Sequence, residues 1–142
     1  MPLARLEEPY LSDPGMLLAL CIWREARGQS PEAWAGVKHV ILNRAANPKG
    51  PYSHCADVVS NILAPFQFSS FNPGTPEAGL LPNPAHTADF TAWLNICDLV
   101  DRQTADQTQG ATHYFSVDIE PPAWASPEHF TVQIGAFRFF RL

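Results

Sequence analysis

WREARGQSPEAWAGVKHVILNR, residues 23–44, contains the end of one helix, a tight corner and most of the next helix. Gly28 is expected to stop the first helix, and Ser30-Pro31-Glu32 is a helix start that follows almost at once. The second helix is predicted to continue to about Ala46, because its apolar residues recur at helical spacing: Trp34, Val37, Val40 and Ile41. The stretch therefore predicts a helical corner.

The first helix begins upstream of this corner. Asp13 followed by Pro14 is typical of an N-cap and first turn, and the helix is predicted to run to about Arg27. Its spacing gives two adjoining faces, with Leu17, Leu20, Cys21 and Arg24 on one and Leu18, Ile22 and Glu25 on the other. Glu25 is thus expected at the elbow of the corner.

The rest of the chain predicts two more helices and a small sheet. A short helix is expected over 54–64, a long Pro- and Gly-rich loop over 65–84, and a helix from Asn83-Pro84 to about Arg102. Two β-branched and aromatic segments follow, which predict two short strands around a proline-rich excursion: ATHYFSV (111–117) and FTVQIGAFRFF (130–140). The expected fold class is α+β and mostly helical.

Length and composition favour one globular domain. At 142 residues the chain fits a single domain, 1–142, with residues 1–12 as a surface tail. A net charge of −5 argues against nucleic acid as a partner. No stretch approaches the ~20 apolar residues of a membrane span, and no signal peptide is expected because the start has no long apolar run. Synthesis in the cytoplasm fits the three scattered cysteines, which are expected to be reduced.

Glu25 is the first candidate for chemistry. A carboxylate in the last turn of a helix faces the negative end of the dipole, and Trp23 could supply an apolar wall. Both would raise its pKa and favour a proton donor, whereas Arg24 and Arg27 would lower it. The structural alternative is a solvated charge paired with arginine.

Two further segments suit a sugar ligand. FQFSSFN, residues 66–72, sets Gln67, Ser69 and Ser70 between phenylalanine rings. Rings stack on sugar faces while amides and hydroxyls bind sugar edges; the alternative is a loop anchored by its aromatics. His113 and Tyr114 add polar groups on a predicted strand. The five histidines lack the spacing of a zinc site, and no phosphate loop or G-x-S-x-G elbow occurs, so no metal or cofactor is expected.

In this order the segments resemble the SleB/CwlJ-type cell wall hydrolases, a family that includes spore-cortex-lytic enzymes and phage lysis proteins. The segments that carry the resemblance are WREARGQSPEAWAGVKHVILNR, FQFSSFN, GATHYF at 110–115, the tryptophan of PPAWA and IGAFRFFR at 134–141. Two departures stand out: Arg24 replaces a frequent Gly, and Gln29 replaces the Glu of E-A-R-G-E.

The resemblance implies a lysozyme-like fold, related to lytic transglycosylases, that acts on the glycan strands of peptidoglycan. It implies Glu25 as the catalytic acid, with Arg27 and Arg44 bracing the corner or meeting peptide carboxylates. The residues implied to line the cleft are Gln67, Phe68, Ser69, His113, Tyr114 and Trp124.

The expected reaction is that of a lytic transglycosylase. It cleaves the β-1,4 bond between N-acetylmuramic acid and N-acetylglucosamine, with a single Glu as acid and base, and leaves 1,6-anhydromuramyl ends. A second carboxylate, as most glycosidases use, could come only from Asp57, Asp118 or Glu120, none in a strongly matching segment. The alternatives are a hydrolytic muramidase, a non-catalytic glycan-binding module and, less well supported, an amidase. The protein is expected to be a monomer that acts on the wall in the periplasm or outside the cell. A phage holin lesion would release it, unless it is a bacterial enzyme exported by another route.

Overall fold

The computed structural model describes residues 10, 12–46, 57–63, 68 and 79–142. In chain order the helices are α1 (Pro14–Ala26), α2 (Pro31–Ala46), α3 (Val58–Leu63) and α4 (Thr87–Asp101). The strands are β1 (His113–Ser116), β2 (Phe130–Ile134) and β3 (Phe137–Phe140). The predicted α+β class is confirmed, whereas the lysozyme-like fold stays a prediction.

Helix α1 forms the centre of the molecule. It begins as predicted, since the Asp13 carboxylate accepts from the amide of Gly15 at 2.9 Å. Every residue from 17 to 24 is buried, on both of the expected faces, because α1 packs against the other three helices. The predicted glycine stop is corrected: Gly28 is not left-handed, and the turn is closed by the Arg27 amide donating to the Trp23 carbonyl at 3.1 Å.

The corner between α1 and α2 is tied by a tryptophan. The indole Nε1 of Trp34 donates to the carbonyl of Ala26 at 2.7 Å, which joins the first turn of α2 to the last residue of α1. Ser30 caps α2 by accepting from the amide of Ala33 at 3.2 Å, as the sequence predicts. The end of α1 and the start of α2, which form the elbow beside Glu25, are therefore both fixed by hydrogen bonds.

The other two helices are shorter than predicted. Of the span 54–64, residues 58–63 are helical, and 54–56 and 64 lie outside the described residues. Helix α4 begins at Thr87 instead of Asn83, because the side chain and carbonyl of Asn83 accept from the amides of Ala85 and His86 and close a separate turn first. Most of the predicted 65–84 loop lies outside the described part.

The C-terminal segments form three strands instead of the two predicted. The sheet order is β1-β3-β2 with both pairings antiparallel, so the segment 130–140 is a hairpin. Its two-residue loop is Gly135-Ala136, with Gly135 at φ +56° and Ile134 paired with Phe137, as in a type II′ turn. Strand β1 thus lies at an edge of the sheet.

One face of this sheet packs on the helices. Tyr114, Phe137 and Phe139 share the inner face, and the Phe139 ring lies so close to Gly36 of α2 that a Cβ there would be 2.6 Å from it. His113, Phe115 and Phe140 occupy the opposite face. The close approach at Gly36 fixes the distance between α2 and the sheet, and hence the position of Tyr114 relative to α1.

Two further expectations concern the state of the cysteines and the presence of a membrane span. Cys21 is a buried free thiol and Cys97 a partly buried one, while Cys55 lies outside the described residues. Burial raises the pKa of both thiols, that of Cys97 to about 11. Among the helices that the structure describes, none has the length and apolarity to cross a bilayer.

Candidate active site

Glu25 lies in the last turn of α1, half-buried, and lines a cleft of about 550 Å³. The cleft extends along β1 and the turn that follows it. Its other walls include Arg44, Phe68, Tyr114, Ser116 and Trp124. Of the residues placed in the site by the resemblance, the structure therefore brings Phe68, Tyr114 and Trp124 together with Glu25.

The side chain of Tyr114 forms a direct hydrogen bond with that of Glu25. Its hydroxyl donates a hydrogen bond to Glu25 Oε1 at 3.3 Å, between residues 89 positions apart in the sequence. Burial raises the pKa of Tyr114 well above its ordinary value, and the negative charge of Glu25 adds to this. At neutral pH Tyr114 therefore keeps its proton and acts as a hydrogen-bond donor toward the carboxylate.

The arginines beside Glu25 point away from the cleft. Arg24 is 4% exposed, and its Nε donates to the carbonyl of Leu80 at 2.9 Å, so it fixes the chain ahead of α4. Arg27 donates to the carbonyls of Trp23 and Arg24 at 3.4 Å each, and pairs with Asp89 of α4 at 3.6 Å. Both side chains brace the C-terminal end of α1, which is one of the two roles expected of Arg27.

Trp23 has contacts other than those expected. Its indole donates to the carbonyl of Asp89 at 2.8 Å and lies under the guanidinium of Arg27, 4.6 Å from the ring centroid. It anchors α1 to α4 with 2% of its surface exposed. The aromatic surfaces that line the cleft beside Glu25 come instead from Phe68, Trp124 and the inner face of the sheet.

Arg44 connects α2 to the start of β1. Its Nε donates to the carbonyl of Thr112 at 2.5 Å, and its guanidinium lies 5.4 Å from the Phe68 ring centroid. Although the side chain is only 6% exposed, it lines the cleft. Arg44 therefore puts a positive charge at the end of the cleft where β1 begins.

His113 supports Trp124. The two rings lie 4.8 Å apart between centroids, and His113 Nδ1 is 2.9 Å from the Thr112 hydroxyl. Burial, with a smaller effect of Arg44, lowers the pKa of His113 to about 4. His113 is thus a neutral ring at pH 7, and Trp124 also packs against two other aromatics of the sheet's outer face, Phe115 and Phe140.

The remaining predicted residues divide into three groups. Gln67 and Ser69 lie outside the described residues. Asp57 lines a different groove, beside Pro14 and Leu42, and so does not face Glu25. Asp118 accepts a hydrogen bond from the hydroxyl of Ser116, and Glu120 is exposed.

Ser116 was missed by the sequence reasoning. It lies two residues beyond Tyr114 on β1, so the two side chains share a face of the strand and line the same cleft. The alternation of side chains along a strand is the signal that could have identified Ser116, because the sequence places His113 and Tyr114 on a strand. Nothing in the sequence alone ranked Ser116 above the other serines.

A second, polar depression of about 340 Å³ opens on the other side of Glu25. Arg27, Gly28, Gln29 and Asp89 line it together with Glu25. The carboxylate therefore borders two concave surfaces, one with aromatic walls and one polar. Within the described part of the chain, no cluster of three or more His, Cys, Asp or Glu side chains could hold a metal ion.

Comparison with known proteins identifies the family. The profile of the family described as Cell Wall Hydrolase matches residues 28–140, which include α2, the cleft-lining part of β1 and Trp124. The match begins three residues after Glu25. No curated protein and no solved structure matches the chain. Because the match covers well over half of the sequence and agrees with the resemblance of its motifs, the chain belongs to the cell wall hydrolase family.

Proposed function

We propose that the protein cleaves the β-1,4 bond between N-acetylmuramic acid and N-acetylglucosamine as a lytic transglycosylase that leaves 1,6-anhydromuramyl ends. A cell wall hydrolase acts on peptidoglycan. The hydrogen bond from Tyr114 to Glu25, inside a cleft with aromatic walls, is the observation that carries the proposal. It ties a carboxyl group to a donor at the place where a glycan strand would lie.

In the first step Glu25, protonated, donates its proton to the glycosidic oxygen. The bond between C1 of the muramyl sugar and that oxygen breaks, and N-acetylglucosamine leaves with a free 4-hydroxyl. The muramyl ring is left with oxocarbenium character at C1. Glu25 is now a carboxylate, which the Tyr114 hydroxyl stabilises by donating to Oε1.

In the second step the carboxylate of Glu25 takes the proton from the C6 hydroxyl of the same muramyl sugar. The C6 oxygen then bonds to C1, which closes the 1,6-anhydro ring and returns Glu25 to its protonated form. No water is consumed. One carboxyl group suffices for both steps, and among the described residues that line the cleft Glu25 is the only carboxylate.

The other site residues would bind and orient the glycan. Phe68 and Trp124 offer rings for stacking on sugar faces, and His113 holds the Trp124 ring from behind. Gln67 and Ser69 would bind the acetamido group. Arg27 and Arg44 brace the elbow and stand where they could meet peptide carboxylates at either side of Glu25.

The enzyme's domain organisation, oligomeric state and place of action are part of what we propose. One lysozyme-like domain over residues 1–142, with 1–12 as a tail, would act as a monomer on the cell wall. Release through a phage holin lesion would bring it there from the cytoplasm.

The test is digestion of purified peptidoglycan in ¹⁸O-labelled water, followed by mass spectrometry of the soluble fragments. The proposal predicts muramyl ends that lack one water and carry no ¹⁸O. Reducing muramyl ends that contain ¹⁸O would identify a hydrolytic muramidase on the same site. Binding to peptidoglycan without any release would mean a glycan-binding module.

A further inference from the structure

A serine and a carboxylate form a pair at the end of the cleft. Ser116 is half-buried, lines the cleft on the same face of β1 as Tyr114, and donates the hydrogen of its hydroxyl to Asp118 Oδ1. The pair closes the turn that leaves β1. Ser116 follows Tyr114, the partner of Glu25, by one strand repeat, roughly 7 Å along β1.

The hydrogen bond to Asp118 fixes what Ser116 offers to a ligand. A serine hydroxyl has a single proton, and here that proton is directed to the carboxylate. The lone pairs of the Ser116 oxygen are therefore what remains for the cleft, and a negative neighbour makes them a stronger acceptor. A matching ligand group is an N–H or an O–H.

Charges of opposite sign lie near the two ends of the cleft. Arg44, bonded to the carbonyl of Thr112, provides a guanidinium where β1 begins. Asp118 and the exposed Glu120 follow where β1 ends. The extended strand between Thr112 and Ser116 spans about 13 Å, which is room for more than one sugar ring, and Glu25 with Tyr114 lies between the two ends.

The two alternating sugars of peptidoglycan differ in their hydrogen-bonding groups and in their charge. N-acetylglucosamine is uncharged and has a free 3-hydroxyl beside its acetamido N–H, so it offers two neighbouring donors. N-acetylmuramic acid carries at that oxygen a lactyl ether and an acidic peptide. The ether has no hydrogen to donate to an acceptor, and Asp118 would repel the acidic peptide.

We propose that Ser116 and Asp118 form the subsite for the N-acetylglucosamine that leaves when the bond is cut, with the peptide-bearing muramyl sugar toward Arg44. The subsite rests on the proposed function and deepens it. It fixes the register of the glycan strand, because a shift by one sugar would bring a peptide against Asp118. The enzyme thereby selects the bond after muramic acid over the bond after glucosamine.

The experiment compares the wild type with Ser116→Ala and Asp118→Asn on purified peptidoglycan that retains its stem peptides. Initial rates of fragment release and the identity of the newly formed ends are both measured. Ser126→Ala is a matched control. The Ser126 hydroxyl donates to Glu128 at 3.1 Å, in an exposed hydrogen bond that also joins residues two positions apart. Circular dichroism checks that each variant keeps its fold.

The expected result for Ser116→Ala is about a tenfold lower rate, from loss of the acceptor. Asp118→Asn should lower the ratio of muramyl to glucosaminyl ends by roughly tenfold, while Ser126→Ala behaves as the wild type. Unchanged rates and ends in both variants would overturn the subsite alone. A loss of activity in Asp118→Asn as complete as that in Glu25→Gln would make Asp118 a second catalytic carboxylate and also overturn it. No release by the wild type would overturn the proposed function and the subsite with it.

Discussion

The hydroxyl of Tyr114 and the carboxylate of Glu25 meet at 3.3 Å, and this contact joins the edge strand of the sheet to the last turn of the central helix. Tyr114 is fixed by its packing on Phe137 and Phe139, at ring-centroid distances of 5.0 and 5.8 Å. Glu25 is fixed by the Trp34 bond across the corner. The carboxylate is thus held by two independently anchored elements.

Replacing Tyr114 with Phe tests the donor itself. The ring keeps its packing while the bond to Glu25 is lost, so we expect the rate of peptidoglycan cleavage to fall about a hundredfold. The free energy of unfolding should fall by only about 1 kcal/mol. Turbidity clearing and urea unfolding measure the two effects. Tyr10→Phe is the control, since Tyr10 packs on Trp93 away from the cleft; equal effects in both variants would deny Tyr114 a role in the reaction.

Gly36→Ala tests how closely α2 approaches the sheet. Alanine favours the helix by about 1 kcal/mol, but its Cβ would lie 2.6 Å from a Phe139 ring that is fully buried. Overpacking of this kind costs about 1–3 kcal/mol, so after the helix gain we expect a net loss of stability of up to about 2 kcal/mol in urea unfolding. Gly28→Ala, whose Cβ would meet nothing within 4 Å, should change stability little. A stabilised Gly36→Ala variant would mean that the helix and sheet are further apart.

His113 makes stability depend on pH. Its pKa is about 4 in the folded protein and near 6.5 when unfolded, so the unfolded chain binds the extra proton between these values. Stability is complete above pH 6.5 and falls as the pH drops toward 4, by up to about 3 kcal/mol. His39, whose pKa burial also lowers, adds a change of the same sign.

Urea unfolding at pH 7.5 and 4.5 measures this loss. His113→Gln should be less stable at both values, because the ring packed on Trp124 is removed, but its loss of stability on acidification should be smaller. An undiminished pH dependence in His113→Gln would assign the effect to other groups.

The elements that begin with local signals were predictable from the sequence. Asp13 and Ser30 cap the first two helices as their side chains suggest. The hairpin at Gly135-Ala136 was missed because Gly135 is the single turn residue within a β-branched and aromatic segment, residues 130–140. The start of α4 was missed because Asn83 forms a turn of its own before the helix.

The site was predictable only in part, for a physical reason. Glu25 stood out through its position in the last helical turn, and Tyr114 through its strand. Their hydrogen bond depends on how the sheet packs on α2, a distance set by Gly36 and Phe139 that no local pattern encodes. Arg24 is a similar case, since a charged residue beside Glu25 is buried by a bond to the distant carbonyl of Leu80.

The most direct measurement is peptidoglycan cleavage by Glu25→Gln, with binding to the same insoluble peptidoglycan measured by co-sedimentation. Glutamine keeps the shape of the side chain but cannot donate and retake a proton, so we expect cleavage to fall by about 10³-fold or more while binding is retained. Glu32→Gln, a change at an exposed position in the first turn of α2, is the control and should cleave normally. Cleavage by Glu25→Gln at the wild-type rate would contradict the account, because another group would then have to supply the proton.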